Sequence, residues 1–551
     1  MSSWLLAQCV VEQLRQAGVE HVVLAPGSRN APLSMALHRA SVQAGADGPD
    51  LHLHVRIDER SAGFLALGLA RASESPVAVV TTSGTAVANL APAVMEANEA
   101  GVPLVVLSAD RPLTMAHSGA NQTGTQFGLF SSQVRHQVQL TSDGEPTSWR
   151  FQLRRALAEA AGSRTGAPGP VQVNLHLDVP LMPSDEELPP PTPWQLEPAA
   201  PTRAVLLDAA RHTVVLAGDA SPAVGRRALQ VAHAGGVPLL AEPSSNARAG
   251  RAVSTYRLLL GKEGLGDRID RVIVFGHPTL SRPVTRLLSR EDVEVIVVAD
   301  GARWPDPGMR ACRVVGDVDL APAPDEHWLN RWLTADCDLQ TRLGLASRPE
   351  SGEEPEPTGH AVAALVVERT AGQVLVLGSS NPIRDADLAP VPDALYQDPE
   401  AATRVFANRG LAGIDGVIST AAGIGLGLDE PVTCLLGDLT FLHDCGGLWL
   451  GSLEEQPRLR LVVLDDRGGS IFHSLEQGGE QHEASFEKVF GTPHQADLAA
   501  LAAAHGWKAT TVRDLEELGQ RLRVPVRGPE VLVVPVARDG RRAWAQRVAG
   551  L

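Results

Sequence analysis

"LLGDLTFLHDCGGLWLGSLEEQPRLRLVVLDDRGGSIF" occupies residues 435–472. Two apolar runs frame it, "VTCLLGD" (432–438) and "LRLVVLDD" (459–466), and each ends in aspartate. Unbroken Val/Leu runs separated by a turn and a helical stretch read as neighbouring strands of a parallel sheet, covered on both faces. Parallel strands end on the same edge of a sheet. Gly437-Asp438 and Asp466-Arg467-Gly468-Gly469 are therefore expected at adjacent strand ends, the second aspartate 28 positions after the first. Two carboxylates and a backbone carbonyl suit a hard divalent cation such as magnesium. The glycines let backbone approach an anion closely. The competing reading is a pair of turn aspartates, common at strand ends.

The same grammar extends outward in both directions. "HVVLAP", "LHLHVRI", "VAVVTT", "PLVVLSA" and "VQVNLHL" are the expected strands of the first third, and "TVVLAG", "VPLLAE", "RVIVFG" and "VEVIVVAD" those of the second. "QVLVLGSS" and "EVLVVPV" join the opening pair in the last third. Two Pro/Glu-rich stretches, 182–202 and 347–359, read as linkers. The expected fold is thus α/β, three doubly wound parallel-sheet domains over residues 1–185, 203–345 and 358–551. Ligands of such sheets bind beyond the carboxyl ends of the strands. "APGSRN", "TTSGTA", "SADRP", "LGSSNPIR", "LGDLT" and "LDDRGG" all fall there.

Composition narrows the function. A net charge of −16 offers no basic excess for nucleic acid. Five scattered cysteines (9, 312, 337, 434 and 445), without CxxC spacing, fit reduced thiols in a cytoplasmic protein. "MSSWLLAQCVVEQLRQAG" lacks a basic start and reads as an amphipathic first helix capped by Ser2 or Ser3. No apolar run is long enough to predict a membrane span. "GIGLG" (423–427) follows no strand, so it is not a dinucleotide fingerprint; its glycines suit tight helix packing. His52, His54, His117, His443 and His473 show no metal-binding spacing and read as surface or packing residues.

"HVRIDERSAGFLALGLA" (54–70) places Asp58 and Glu59 between an alternating strand and a helix of small residues. Leu51, Leu53, Val55 and Ile57 are its expected buried face. On the residues alone, Asp58 reads as a helix cap and Glu59 as a favourable charge in the first turn. Arginines recur in the strand-end loops: Arg29, Arg111, Arg384 and Arg409. Guanidinium groups on one rim suggest a pocket for more than one carboxylate.

Together these pieces resemble the thiamine diphosphate enzymes, whose pyrimidine-binding, central and diphosphate-binding domains come in that order. Within that superfamily they resemble the menaquinone-pathway synthases known as the MenD family. "APGSRNAPL", "DERSAGFLALGLA", "TSGTAVANL", "ADRP", "GANQT", "NRGLAGIDGVISTAAG" and "DDRGGSIF" lie in family order across the first and last thirds. The resemblance implies thiamine diphosphate with Mg²⁺ (Mn²⁺ being possible), held by Asp438, Asp466 and the Gly468 carbonyl. It implies cofactor contacts from Glu59, Ile414, Gly437, Asp438, Leu439, Gly468 and Phe472. Glu59 aligns with the glutamate that shares a proton with N1′ of the aminopyrimidine, a role favoured by burial, with residues 61–63 leaving room for the ring. The implied reaction decarboxylates 2-oxoglutarate and adds the resulting succinyl carbanion 1,4 to isochorismate. Ser28, Arg29, Arg111, Asn121, Gln122, Arg282, Ser380, Arg384, Arg409, Phe472 and Leu475 are the implied substrate contacts. A homodimer or homotetramer with shared active sites is implied as well. Arg282 stands where the family has lysine, Asp466 where many relatives have asparagine, and Ser379 at a position often Asn. Another thiamine diphosphate-dependent 2-oxo acid decarboxylase or acetolactate-type synthase is the alternative enzyme, and a binding protein without activity is the alternative class.

Overall fold

The apolar runs form the sheets that their pattern predicts. In a computed structural model of the chain, residues 2–42, 51–191, 193–200, 202–208, 211–323, 325–346, 357–538 and 540–550 are described. The linker expected at 347–359 lies outside them except for its last three residues. The 182–202 linker, where described, contains neither helix nor strand.

Compactness divides the chain into two units. One comprises Met1–Ala200, Gly410–Glu430 and His443–Arg458; the other comprises Pro201–Arg409, Pro431–Leu442 and Leu459–Leu551.

The first unit is built on a six-stranded sheet in the spatial order His52–Val55, His21–Leu24, Val77–Thr81, Leu104–Asp110, Val171–His176, His136–Thr141, every pairing parallel. Its central strands are buried end to end, hence their Val/Leu composition. Trp4, Leu6, Leu14, Trp149 and Leu153 pack together on this sheet's core side. They come from the helices Ser3–Gln16 and Pro146–Ala160. The first helix is capped by Ser2, whose hydroxyl accepts from the Leu5 N–H.

A second helix pair, Glu59–Ser73 and Val417–Leu428, meets almost backbone to backbone. A Cβ at Gly423 would come within 2.2 Å of the Leu65 carbonyl oxygen, and one at Gly427 within 2.9 Å of Ala72 Cβ. The glycines of "GIGLG" therefore serve packing, as the missing strand before them implied.

The alternation expected at 51–57 holds at its start, where Leu51 is buried and His52 exposed, and then runs the other way. His54 and Arg56 are buried, Leu53 and Val55 are half-buried, and Ile57 is 61 % exposed. His54 Nε2 meets His21 Nδ1 at 3.1 Å, and Arg56 reaches Glu454 and the Val55 carbonyl. Partners supplied by distant segments make the polar face the inner one. Periodicity of one strand cannot show this.

The second unit holds two further parallel sheets of six strands. One is ordered Ala252–Val253, Leu239–Ala241, Thr213–Ala217, Arg271–Phe275, Glu294–Val298, Ala311–Val315. The other is ordered Arg404–Phe406, Val374–Leu377, Val432–Gly437, Leu459–Asp465, Glu530–Pro535, Lys508–Thr511. The three doubly wound parallel sheets are thus present. In the last sheet the chain runs outward from Val374–Leu377 to Arg404–Phe406, then returns to Val432–Gly437 on the other side. This reversal opens a crevice beyond the strand ends, where the opening motif falls.

Candidate active site

Asp438 follows the Val432–Gly437 strand and starts the short helix Asp438–His443. Its carboxylate is 3 % exposed. One oxygen accepts the Leu439 N–H at 2.6 Å, and the other accepts the Gly468 N–H at 2.8 Å and faces His494 Nε2 at 3.0 Å. Asp466 follows the neighbouring strand Leu459–Asp465. Ser470 donates to one of its oxygens and in turn accepts from Asn381 at 2.6 Å. The other oxygen, Oδ1, is buried without a hydrogen-bond partner among the described residues.

Burial, and then the negative charge of Asp438, push the Asp466 carboxyl up to about 7. Burial also raises Asp438, against the pull of His494 and the two amides. Two buried carboxylates, one raised by the charge of the other and left with an orphaned oxygen, form a donor set that a hard dication satisfies. The residues fit a magnesium site. Asp438, Asp465 and His494 also offer ligand atoms within 4.8 Å of one another.

His494, Asp465, Ser470 and Asn381 were not singled out in the sequence. His494 lies 56 residues from Asp438 in a loop without any motif, so no local signal could find it. The Gly468 carbonyl accepts the Ser470 N–H at 3.0 Å, while its amide holds Asp438. The close approach that Gly468 and Gly469 permit is to the carbonyls of Gly491 and Phe490, at 2.3 and 2.4 Å from a built Cβ. Gly437, by contrast, has open space where a Cβ would go. Phe472 is half-buried and packs against Phe490 with ring centroids 5.5 Å apart and planes tilted by 47°; Leu475 is half-buried near it in sequence.

In the same unit, Arg409 is 3 % exposed, with Nη2 donating to Thr279 Oγ1 at 2.9 Å and Nη1 to Ser379 Oγ at 3.4 Å. Arg384 donates to the Ser380 carbonyl at 3.1 Å, and Ser380 adopts a left-handed backbone with φ 78°. Burial, then the Arg409 and Arg257 guanidinium groups, lower the Arg384 pKa. Two partly desolvated cations lie close enough to repel each other, an arrangement that suits an anion. Arg282 is different: its side chain is 72 % exposed and pairs with Glu476 at 2.7 Å.

The first unit carries the other expected residues. Asp58 caps the Glu59–Ser73 helix, accepting the N–H groups of Arg60 and Ser61 at 2.8 and 3.2 Å. Glu59 is the first helical residue, half-buried, and its carboxylate accepts from Asn89 Nδ2 at 3.1 Å. The cap reading of Asp58 and the first-turn reading of Glu59 are both met, and the Glu59 carboxylate remains accessible. The room expected at residues 61–63 is used by packing, because a Cβ at Gly63 would stand 2.9 Å from Ala93 Cβ. Arg111 donates to Ser83 Oγ at 2.9 Å and the Asn121 carbonyl at 2.7 Å; Arg29 donates to the Leu177 carbonyl at 2.9 Å. Arg111 is close enough to help lower the Arg29 pKa, behind burial. Ser28, Asn121 and Gln122 are exposed, and Ile414 is half-buried. The four rim arginines therefore form two pairs, Arg29 with Arg111 and Arg384 with Arg409.

Comparisons with known proteins agree with this arrangement. Residues 5–133 match the family described as thiamine pyrophosphate enzyme, N-terminal TPP binding domain, and residues 394–536 match its C-terminal TPP binding domain. The chain is similar to benzoylformate decarboxylase from Polynucleobacter necessarius in fold, with a TM-score of 0.66 at 17 % identity over 97 % of this chain and 98 % of that one. The fold and site define a thiamine diphosphate enzyme. Curated 2-succinyl-5-enolpyruvyl-6-hydroxy-3-cyclohexene-1-carboxylate synthases are far closer in sequence. That of Arthrobacter sp. is 46 % identical over 98 % of this chain and 90 % of its own, and that of Kineococcus radiotolerans 46 % over 99 % and 98 %. The synthase of Nocardioides sp. is 45 % identical over 100 % of this chain and 98 % of its own. The chain belongs to this synthase family, thiamine diphosphate-dependent transferases of menaquinone biosynthesis.

Proposed function

We propose that the chain joins 2-oxoglutarate to isochorismate with loss of CO₂, giving 2-succinyl-5-enolpyruvyl-6-hydroxy-3-cyclohexene-1-carboxylate. The observation that carries this reading is the identity of 45–46 % to synthases of that name along essentially the whole chain. Thiamine diphosphate, when bound, supplies a nucleophilic carbon that adds to a 2-oxo acid, releases CO₂ and passes on the remaining acyl unit.

The protein's part is to hold, orient and move a proton. Asp438, Asp466 and the Gly468 carbonyl would hold Mg²⁺, or Mn²⁺ in its place, which would neutralise the charge of the diphosphate. Gly437, Leu439, Ile414 and Phe472 line the cofactor. Glu59 would share a proton with N1′ of the pyrimidine. Its accessibility in the single chain fits a site completed by a second copy, in a homodimer or a pair of dimers. Both substrates are dianions at neutral pH, and each arginine pair suits a carboxylate. Arg384 and Arg409 with Ser380, Phe472 and Leu475 are one set of substrate contacts, and Ser28, Arg29, Arg111, Asn121 and Gln122 are another. Arg282 enters the pocket only by leaving Glu476. The residue ranges 1–185, 203–345 and 358–551 serve as pyrimidine-binding, central and diphosphate-binding domains. Among the described residues no helix is long and apolar enough to cross a membrane.

The test is a mass-resolved assay of the purified protein with thiamine diphosphate, Mg²⁺, 2-oxoglutarate and isochorismate. The expected result is the succinylated cyclohexene product with one CO₂ per turnover. Faster turnover of two pyruvates would favour the acetolactate-type reaction and overturn the proposal.

A further inference from the structure

At the carboxyl end of the Leu239–Ala241 strand, the loop Glu242-Pro243-Ser244-Ser245-Asn246 is buried throughout. A carboxyl group placed there costs desolvation that an apolar residue would not, so its contacts matter. Glu242 accepts from two consecutive amides, Leu280 at 2.9 Å and Thr279 at 3.3 Å. Leu280 is packed into the core of the last sheet beside Leu375 and Leu377. Thr279, held between these bonds, turns its Oγ1 to accept from Arg409 Nη2.

The other end of the loop holds the segment that delivers Arg409. Asn246, in a left-handed conformation with φ 56°, donates to the Val405 carbonyl at 3.0 Å and accepts the Val405 N–H at 2.8 Å. It thus exchanges both backbone hydrogen bonds of Val405, as a neighbouring strand residue would. Arg409 follows four residues later. One buried loop of the central sheet therefore fixes both the approach of Arg409 and the acceptor that aims its guanidinium.

We infer that Glu242 and Thr279 are positioning residues for Arg409, so that the central sheet tunes substrate affinity through the Glu242–Thr279–Arg409 chain of hydrogen bonds. This rests on the reading that Arg409 receives a substrate carboxylate.

The experiment uses the full-length protein loaded with thiamine diphosphate and Mg²⁺, and measures kcat, KM for each substrate, and cofactor affinity. Arg409→Ala identifies the substrate whose KM depends on the guanidinium. Thr279→Val, nearly isosteric but without the acceptor, is expected to raise that same KM roughly fivefold, with kcat and cofactor affinity little changed. Thr279→Ser is expected to restore it. Glu242→Met is expected to affect the same substrate, and the double variant with Thr279→Val to be no worse than the worse single one. If Glu242→Met fails to fold, the Val/Ser pair decides. A large effect of Arg409→Ala with unchanged KM in Thr279→Val overturns the inference and leaves the substrate reading standing. Unchanged KM values in Arg409→Ala overturn both.

Discussion

A Cβ built on Gly68 would lie 2.2 Å from the Thr420 carbonyl oxygen, closer than any methyl group can stand to backbone. The Glu59–Ser73 and Val417–Leu428 helices are held at a separation that only glycine allows. Gly68→Ala should therefore destabilise the protein. Overpacking costs about 1–3 kcal/mol, which outweighs the gain of up to about 1 kcal/mol in helix propensity. A lower urea midpoint with an unchanged slope is expected. Activity should fall as well, because Glu59 heads the displaced helix. Equal midpoints for the variant and parent would disprove the close contact.

Glu59→Gln keeps the size of the side chain and its ability to accept from Asn89, but it cannot share a proton with a ring nitrogen. Exchange of the cofactor C2 hydrogen with solvent deuterium, followed by NMR, should slow by roughly 100-fold or more. Affinity for thiamine diphosphate, from a fluorescence titration, should change little. Exchange at the parental rate would remove Glu59 from the proton path.

What the sequence revealed and what it hid follow burial. Central strands such as Val77–Thr81, Val432–Gly437 and Leu459–Asp465 are covered on both faces, so they must be written in Val and Leu and can be read. The edge strands His136–Thr141, Ala252–Val253, Ala311–Val315, Arg404–Phe406 and Lys508–Thr511 were not read, being short or carrying polar residues. The site divides in the same way. Asp438 and Asp466 sit at the ends of legible strands with glycine beside them. His494, Asn381 and Glu242 act through contacts across tens of residues, which no spacing rule records.

Removal of metal should separate the two aspartates. Activity stripped by a chelator is expected to return with Mg²⁺ and with Mn²⁺, both being hard cations with oxygen preference. Asp438→Ala loses a ligand and the anchor of Gly468, and should weaken Mg²⁺-dependent cofactor binding by roughly 100-fold. Asp466→Asn keeps an oxygen donor and should remain active, at a higher Mg²⁺ requirement. Parental metal dependence in Asp438→Ala would place the ion elsewhere.

Arg384→Ala and Arg409→Ala each remove a partly desolvated cation whose counter-charge is expected from the substrate. Charge-assisted hydrogen bonds of this kind are worth about 1.5–3 kcal/mol, so kcat/KM for the dicarboxylic donor should fall roughly 10- to 100-fold. Cofactor affinity should move much less. Steady-state kinetics with 2-oxoglutarate, set against a thiamine diphosphate titration, separates the two effects. A loss confined to cofactor binding would reassign both arginines.

Acid should destabilise the protein through His21 and His54, whose ring nitrogens lie 3.1 Å apart inside the first unit. Burial, and then neighbouring imidazole charge, lower His21 to about 4 and His54 to about 3. Both rings are thus neutral in the folded chain at pH values where the unfolded chain, near 6.5, takes up protons. Their contribution is complete above pH 6.5 and is lost as pH falls from there toward 3–4. Between pH 7 and pH 5 one suppressed ring accounts for about 2 kcal/mol. Urea unfolding at the two pH values should show a smaller loss in His54→Gln than in the parent, because carboxylate contributions are common to both. Equal losses would mean that the two imidazoles are free to charge in the folded state.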